Sequence, residues 1–160
     1  MKTILKRYAQ AGALICMSVL VVSCGKLTNS APKDTVIGLF GAMERNDKGG
    51  VANALDLAAL MQIRDHDYAL QVDPPRTWSL PNEIIGDLTD SGRTKTVWFS
   101  LQRVIGEEER HGDTAFVEVS FVNKETGVQY YNKFGLHNLE GSWRIFAFKT
   151  VVDTASSPES

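Results

Sequence analysis

The sequence predicts an α+β fold, with helices first and a four-stranded antiparallel sheet closing the chain. Three observations predict it. Between Pro32 and Leu88, apolar residues recur at the three- and four-residue spacing of a helix stripe. From Thr96 to Val151 the period falls to two. Polar or glycine-bearing turns at Glu107–Asp113, Lys124–Gly127 and Glu140-Gly141 then cut that second half into strands joined as a meander.

The first helix is expected to start near Pro32, with Ser30 as N-cap and Asp34 at the positive end of its dipole. Val36, Phe40 and Met43 form its stripe, widened by Ile37 and Leu39. Gly38 and Gly41 are poor helix formers, and their bare surface is expected to let the helix lie close to a partner surface. Asn46-Asp47 ends it, and Asp47 caps a second helix whose stripe is Val51, Ala54, Leu55 and Ala58, continuing towards Leu60 and Met61. Asp73-Pro74-Pro75 is a break. Ser79 to Glu83 opens a third helix carrying Ile84, Ile85 and Leu88, and Asp90-Ser91-Gly92 stops it.

The first strand is read from Thr96, with Val97, Phe99, Leu101 and Ile105 on one face. Ala115, Val117, Val119 and Phe121 make the inner face of the second, and Val128, Tyr130, Phe134 and Leu136 line the third. The last strand, Trp143 to Val151, is apolar on both faces: Trp143, Ile145 and Ala147 against Phe146 and Phe148. One face covers the core; the other calls for a lid, a partner or a homodimer mate paired through the sheet.

Ahead of the domain, Lys2, Lys6 and Arg7 precede twelve uncharged, mostly apolar residues, Ala11 to Val22. That run matches a secretory signal and falls short of the ~20 residues of a membrane-spanning helix. An uncleaved anchor is the rival reading, because no charge occurs from Tyr8 to Gly25. Val21-Val22-Ser23-Cys24 resembles the lipobox of bacterial lipoproteins. The resemblance implies cleavage between Ser23 and Cys24, acylation of Cys24, and attachment to the cell envelope membrane. Gly25 stands where an aspartate would signal retention at the inner membrane, which implies the outer membrane, periplasmic side, in a Gram-negative host. The expected organisation is a signal peptide over 1–23, a lipidated tether over 24–31, a domain over 32–152 and a disordered tail over 153–160.

The leader takes three of the 17 basic residues and none of the 19 acidic ones, so the 137 residues from Cys24 onward carry a net charge of −5. That length supports one domain with a proper core. The charge argues against nucleic acid as a partner. The chain has two cysteines; Cys16 leaves with the leader and Cys24 takes the lipid, so the domain is expected to hold without a disulfide and without thiol chemistry.

Ala31 to Ala52, Gly112 to Phe121 and Gly141 to Phe146 resemble the opening helix pair and closing hairpins of the nuclear-transport-factor-two-like, or cystatin-like, cone. The resemblance implies a curved sheet wrapped round helices with a pocket between them. Residues 66–95 match least, and in that superfamily they rim the pocket. The superfamily includes isomerases and dehydratases that use Asp, Tyr or His inside the cone.

Few residues here are placed for that chemistry. His137 and Glu118 have outward parity, and His111 sits in a turn. His66, between Asp65 and Asp67, offers either a general base at the rim or a surface polar cluster. Arg103 and Asn132 share the parity of the apolar faces, as does Tyr130. An inward Arg103 would hold an anionic group; the bland reading is a strand end with its guanidinium reaching water. Glu107-Glu108-Glu109 reads as a solvated edge, and no zinc spacing, phosphate loop, nucleophile elbow or dinucleotide fingerprint accompanies it, so no metal and no cofactor is expected. The expected function is a non-enzymatic, lipid-anchored envelope domain binding a small apolar or amphipathic ligand or another envelope protein. An enzyme of the isomerase or dehydratase kind is the alternative, and a purely structural module with a filled cone is the third reading.

Overall fold

The computed structural model describes residues 30–62 and 78–151. The leader with Ser23 and Cys24, most of the tether, His66, the Asp73-Pro74-Pro75 break and the 153–160 tail lie outside the described residues. Among the described residues nine elements follow in order: α1 Pro32–Glu44, α2 Lys48–Ala54, α3 Leu57–Leu60, α4 Pro81–Leu88, α5 Arg93–Ser100, β1 Gln102–His111, β2 Thr114–Val122, β3 Gln129–Leu139 and β4 Ser142–Val151. The strands form one antiparallel sheet in the order β1-β2-β3-β4, the expected meander, and helices pack on its inner face.

α1 is capped by Ala31 rather than Ser30, and Asp34 Oδ2 reaches back to accept from the Ala31 N–H at 3.1 Å. Val36, Leu39, Phe40 and Met43 are buried as their spacing requires, whereas Ile37 is half exposed. Gly38 faces open space, and a Cβ on Gly41 would meet only Arg45 of the same helix, so the expected close approach at these glycines is not made. The second helix splits. Asp47 caps α2 through the Gly50 N–H at 2.8 Å, as expected, but Leu55 turns extended and forms a parallel bridge with Ile145. The Asp56 N–H donates to the Ile145 carbonyl at 2.8 Å, and the Asp56 side chain then caps α3. The break has a cause: β4 is an edge strand, and this connection satisfies part of its unpaired backbone.

The larger correction concerns residues 96–100. Their alternation predicted a strand, and they are the end of α5. Thr94 and Trp98, four apart, are its buried pair, while Val97 and Phe99 are only partly buried. The cap comes from α4: the Asp87 carboxylate accepts from the Arg93 and Thr94 N–H groups at 3.1 and 3.3 Å and from the Thr94 hydroxyl. β1 therefore begins at Gln102 and runs through the Glu107–His111 stretch expected to be a turn. The real turn is Gly112-Asp113, with Gly112 at φ +60°, a left-handed conformation suited to glycine.

Two bulges shape the sheet. Ile105 pairs with Val119 and Glu108 with Val117, so Gly106 and Glu107 together oppose Glu118. On β4, Ala147 pairs with Gly135 and Ile145 with Leu136, which leaves Phe146 as the extra residue. That bulge explains a strand apolar at both parities. Trp143 and Ile145 face inward before it and Phe148 after it, and all three are buried. Part of the second face is covered from within the chain: Phe146 lies over Gly135, whose added Cβ would come within 2.8 Å of its ring.

The core is aromatic. Trp98 stands within 5.4–5.8 Å, centroid to centroid, of Phe40, Phe121, Phe134 and Phe148. These five side chains fill the space between α1, α5 and the inner sheet face. At one end Arg110 of β1 reaches over the small Ala115 to lie 5.2 Å from the Trp143 ring of β4, the opposite edge strand, as an inwardly curled sheet allows.

Candidate functional site

Register places the inward candidates at one end of the sheet. Arg103, Phe121 and Tyr130 form one row across β1, β2 and β3; Ile105, Val119 and Asn132 form the next. Phe121 is fully buried, Asn132 is 2% exposed, and Tyr130 is 40% exposed. The inner face thus passes from sealed core to open surface between Asn132 and Tyr130, and Val128 continues the exposed apolar line beyond. The parity assigned to Arg103, Asn132 and Tyr130 holds, and they share one end of the face, where Asn132 Nδ2 bonds to the Tyr130 carbonyl.

Arg103 is half-buried. Its guanidinium lies 3.7 Å above the Phe99 ring and 5.5 Å from that of Phe40, and Nη1 makes a long contact of 3.4 Å to the Trp98 carbonyl in the last turn of α5. Burial lowers its pKa, and the nearby Glu44 charge offsets part of that. A cation at the negative end of a helix, stacked on an aromatic face, is favourably held there. Asn132 is different. Its Nδ2 donates to the carbonyls of Val119 at 3.1 Å and Tyr130 at 3.2 Å, but its buried Oδ1 has no hydrogen-bond partner. A sealed acceptor without a donor costs ~1–3 kcal/mol. It is the one buried side-chain atom at this end without a hydrogen-bond partner among the described residues.

Several of the other charged side chains are tied to neighbours in the fold. Below the β1 bulge, Glu108 faces inward, accepting from the Lys33 N–H at 2.9 Å and from Arg110 Nη2 at 2.8 Å, while Lys33 Nζ donates to the Gly106 carbonyl at 2.9 Å. Glu108 is therefore a clamp on the start of α1, not part of a solvated run. Glu109 is exposed, and its pKa is lowered first by the hydrogen bond with His111 and then by the Lys133 charge. Among the described residues no group of three or more His, Cys, Asp or Glu side chains could hold a metal ion.

Two arrangements were not legible in the sequence. His137 faces outward as its parity requires, but its Nε2 lies 2.7 Å from Asp56 Oδ2, off the axis of a hydrogen bond, and its ring stacks on Phe146 at 5.1 Å. An aspartate beside a histidine is half of a general-base arrangement. Here Asp56 Oδ1 already caps α3 through the Ala59 N–H at 3.0 Å, and the pair clamps the α2–α3 connection to the outer face, opposite to Arg103 and Asn132. Eighty residues separate the partners, so no local signal announced them. The second is a polar cleft of about 560 Å³ lined by Trp78, Glu83, Gly86, Asp87, Ser91, Gly92 and Arg93. Its carboxylates cap the two helices beside it: Asp87 caps α5, and Glu83 Oε2 accepts from the Ser79 and Leu80 N–H groups ahead of α4.

No family model matches the chain, and no curated protein does. A solved structure of an NTF-2 like protein of unknown function from Silicibacter pomeroyi is similar at 18% identity, over 74% of this chain and 89% of that one, with a TM-score of 0.44.

Proposed function

We propose that this chain is a lipid-anchored envelope protein whose domain, an NTF-2-like cone, binds a small amphipathic molecule at the cone mouth without transforming it. The observation that carries the binding reading is the orphaned Oδ1 of Asn132, beside the exposed inner-face residues Tyr130 and Val128. A purely structural domain has no use for a buried unsatisfied acceptor, since leucine would fill nearly the same space without the cost. Arg103 and Asn132 suit binding rather than proton transfer: a guanidinium stays charged and an amide does not titrate. The anchor reading rests on the lipobox at Cys24, with the outer membrane of a Gram-negative host as the address.

The thermal melt of the protein from its own host, before and after solvent extraction, tests the binding. A bound ligand raises Tm by mass action, so extraction lowers it, and adding back the extract restores it. An unchanged melt argues for the second reading, a structural module, which the five-ring packing of the cone favours. Homodimerisation through the outer sheet face, where Val104 and Tyr131 are exposed, completes the proposal; a monomeric mass at micromolar concentration contradicts it.

A further inference from the structure

We infer that the ligand of the cone mouth presents a neutral hydrogen-bond donor, a hydroxyl or an amide N–H, to Asn132 Oδ1, with a short apolar body along Tyr130 and Val128. This rests on the binding reading above and narrows it to a ligand class.

The orientation of the Asn132 amide is fixed by its partners. Both groups beside Nδ2 are carbonyl oxygens, of Val119 and of Tyr130, and a flipped amide would set Oδ1 against them. The free group is therefore an acceptor and selects a donor. Carboxylates and phosphates, which only accept when ionised, meet its lone pairs unfavourably. An ammonium group would satisfy it but would enter the end of the inner face that carries the Arg103 guanidinium. Arg103 is itself turned to Phe99 and the end of α5, which makes it a source of repulsion for cations more than a fork for anions. A neutral donor meets neither objection.

The apolar part follows from the strand. Val128, Tyr130 and Asn132 alternate along one line; the Asn123 N–H bond to the Val128 carbonyl at 2.9 Å carries the ladder as far as Val128. At ~3.3 Å per residue the line is about 13 Å long. Its sealed end holds the acceptor, and its open end holds the two half-exposed apolar side chains. A polar head at Asn132 with an alkyl or ring body towards Val128 matches that gradient.

The test uses the full chain in phospholipid nanodiscs, as wild type and as Asn132→Leu, with five matched probes: hexanol, hexanamide, hexyl methyl ether, hexanoate and hexylammonium. Saturation-transfer NMR gives the affinities, and the variant in the same discs accounts for partition into lipid. The expected result is hexanol and hexanamide binding wild type about tenfold more tightly than the ether, with that preference gone in Asn132→Leu. Tyr130→Ala, at an exposed position, should weaken every probe alike. Ether binding as tightly as hexanol, or hexanoate binding tightest, overturns the donor assignment while leaving a ligand site at the mouth. No probe binding wild type better than Asn132→Leu overturns the site as well.

Discussion

Replacing Asn132 with leucine should make the domain more stable. The side chain is 2% exposed, its Oδ1 lacks a partner, and its Nδ2 makes two bonds to main-chain carbonyls. Removing the orphaned acceptor recovers ~1–3 kcal/mol, and burying a leucine side chain adds ~1.5–3 kcal/mol. The loss of two hydrogen bonds at ~0.5–1.5 kcal/mol each, and the strain of a slightly different shape at up to ~1.5 kcal/mol, oppose these gains. The balance is a net gain of about 1 kcal/mol, or about 4 °C in Tm for a domain of this size. Differential scanning calorimetry of the ligand-free protein is the assay. Asn132→Asp should act the other way, because it sets an acceptor against both carbonyls and buries a charge. A Tm several degrees lower for Asn132→Leu would refute the reasoning, since Oδ1 would then be satisfied in the folded protein.

Four further predictions bear on other parts of the structure. Gly135→Ala places a Cβ 2.8 Å from the Phe146 ring, so it should cost ~1–3 kcal/mol in urea unfolding, with much of the loss recovered on adding Phe146→Leu; a neutral Gly135→Ala contradicts the packing. Asp87→Ala removes the buried cap of α5 and should destabilise by ~2–3 kcal/mol, with α5 amides exchanging first in hydrogen-exchange measurements. The Glu109 carboxyl should titrate below the usual glutamate value of about 4.3 in a carbon-detected NMR titration. A depressed carboxyl makes its contribution above that value and loses it as pH falls through its own lower pKa; His111→Ala should raise the midpoint, and an unmoved midpoint removes the attributed cause. Cys24→Ala should leave a full-length, unlipidated precursor, visible as a larger intact mass; processing at the same site would contradict the lipobox reading.

The general architecture was legible because its signals are local. Pro81 with Glu83 marked α4, Asp47 marked the cap of α2, and the alternation of Ala115, Val117, Val119 and Phe121 marked β2 without ambiguity. What failed was local pattern overridden by distant contacts. Val97, Phe99 and Leu101 alternate like a strand, yet Asp87 caps these residues into a helix from outside it, and the core takes Trp98. The β4 bulge turns on one extra residue, Phe146, whose place is made by a glycine on the neighbouring strand. Inward parity named Arg103, Asn132 and Tyr130 as candidates, and the register agrees with that parity. Parity gives a direction only. It could not show that Arg103 is stacked on Phe99 at the end of α5, or that Asn132 keeps one atom without a partner.

Native mass spectrometry of the protein purified from its own host decides whether a ligand is bound. The expected result is a protein carrying extra mass that dissociates on denaturation, identified as a neutral hydroxyl- or amide-bearing amphiphile and absent from Asn132→Leu prepared in the same way. A clean apo mass for both proteins would contradict it and leave a packed cone with a structural role.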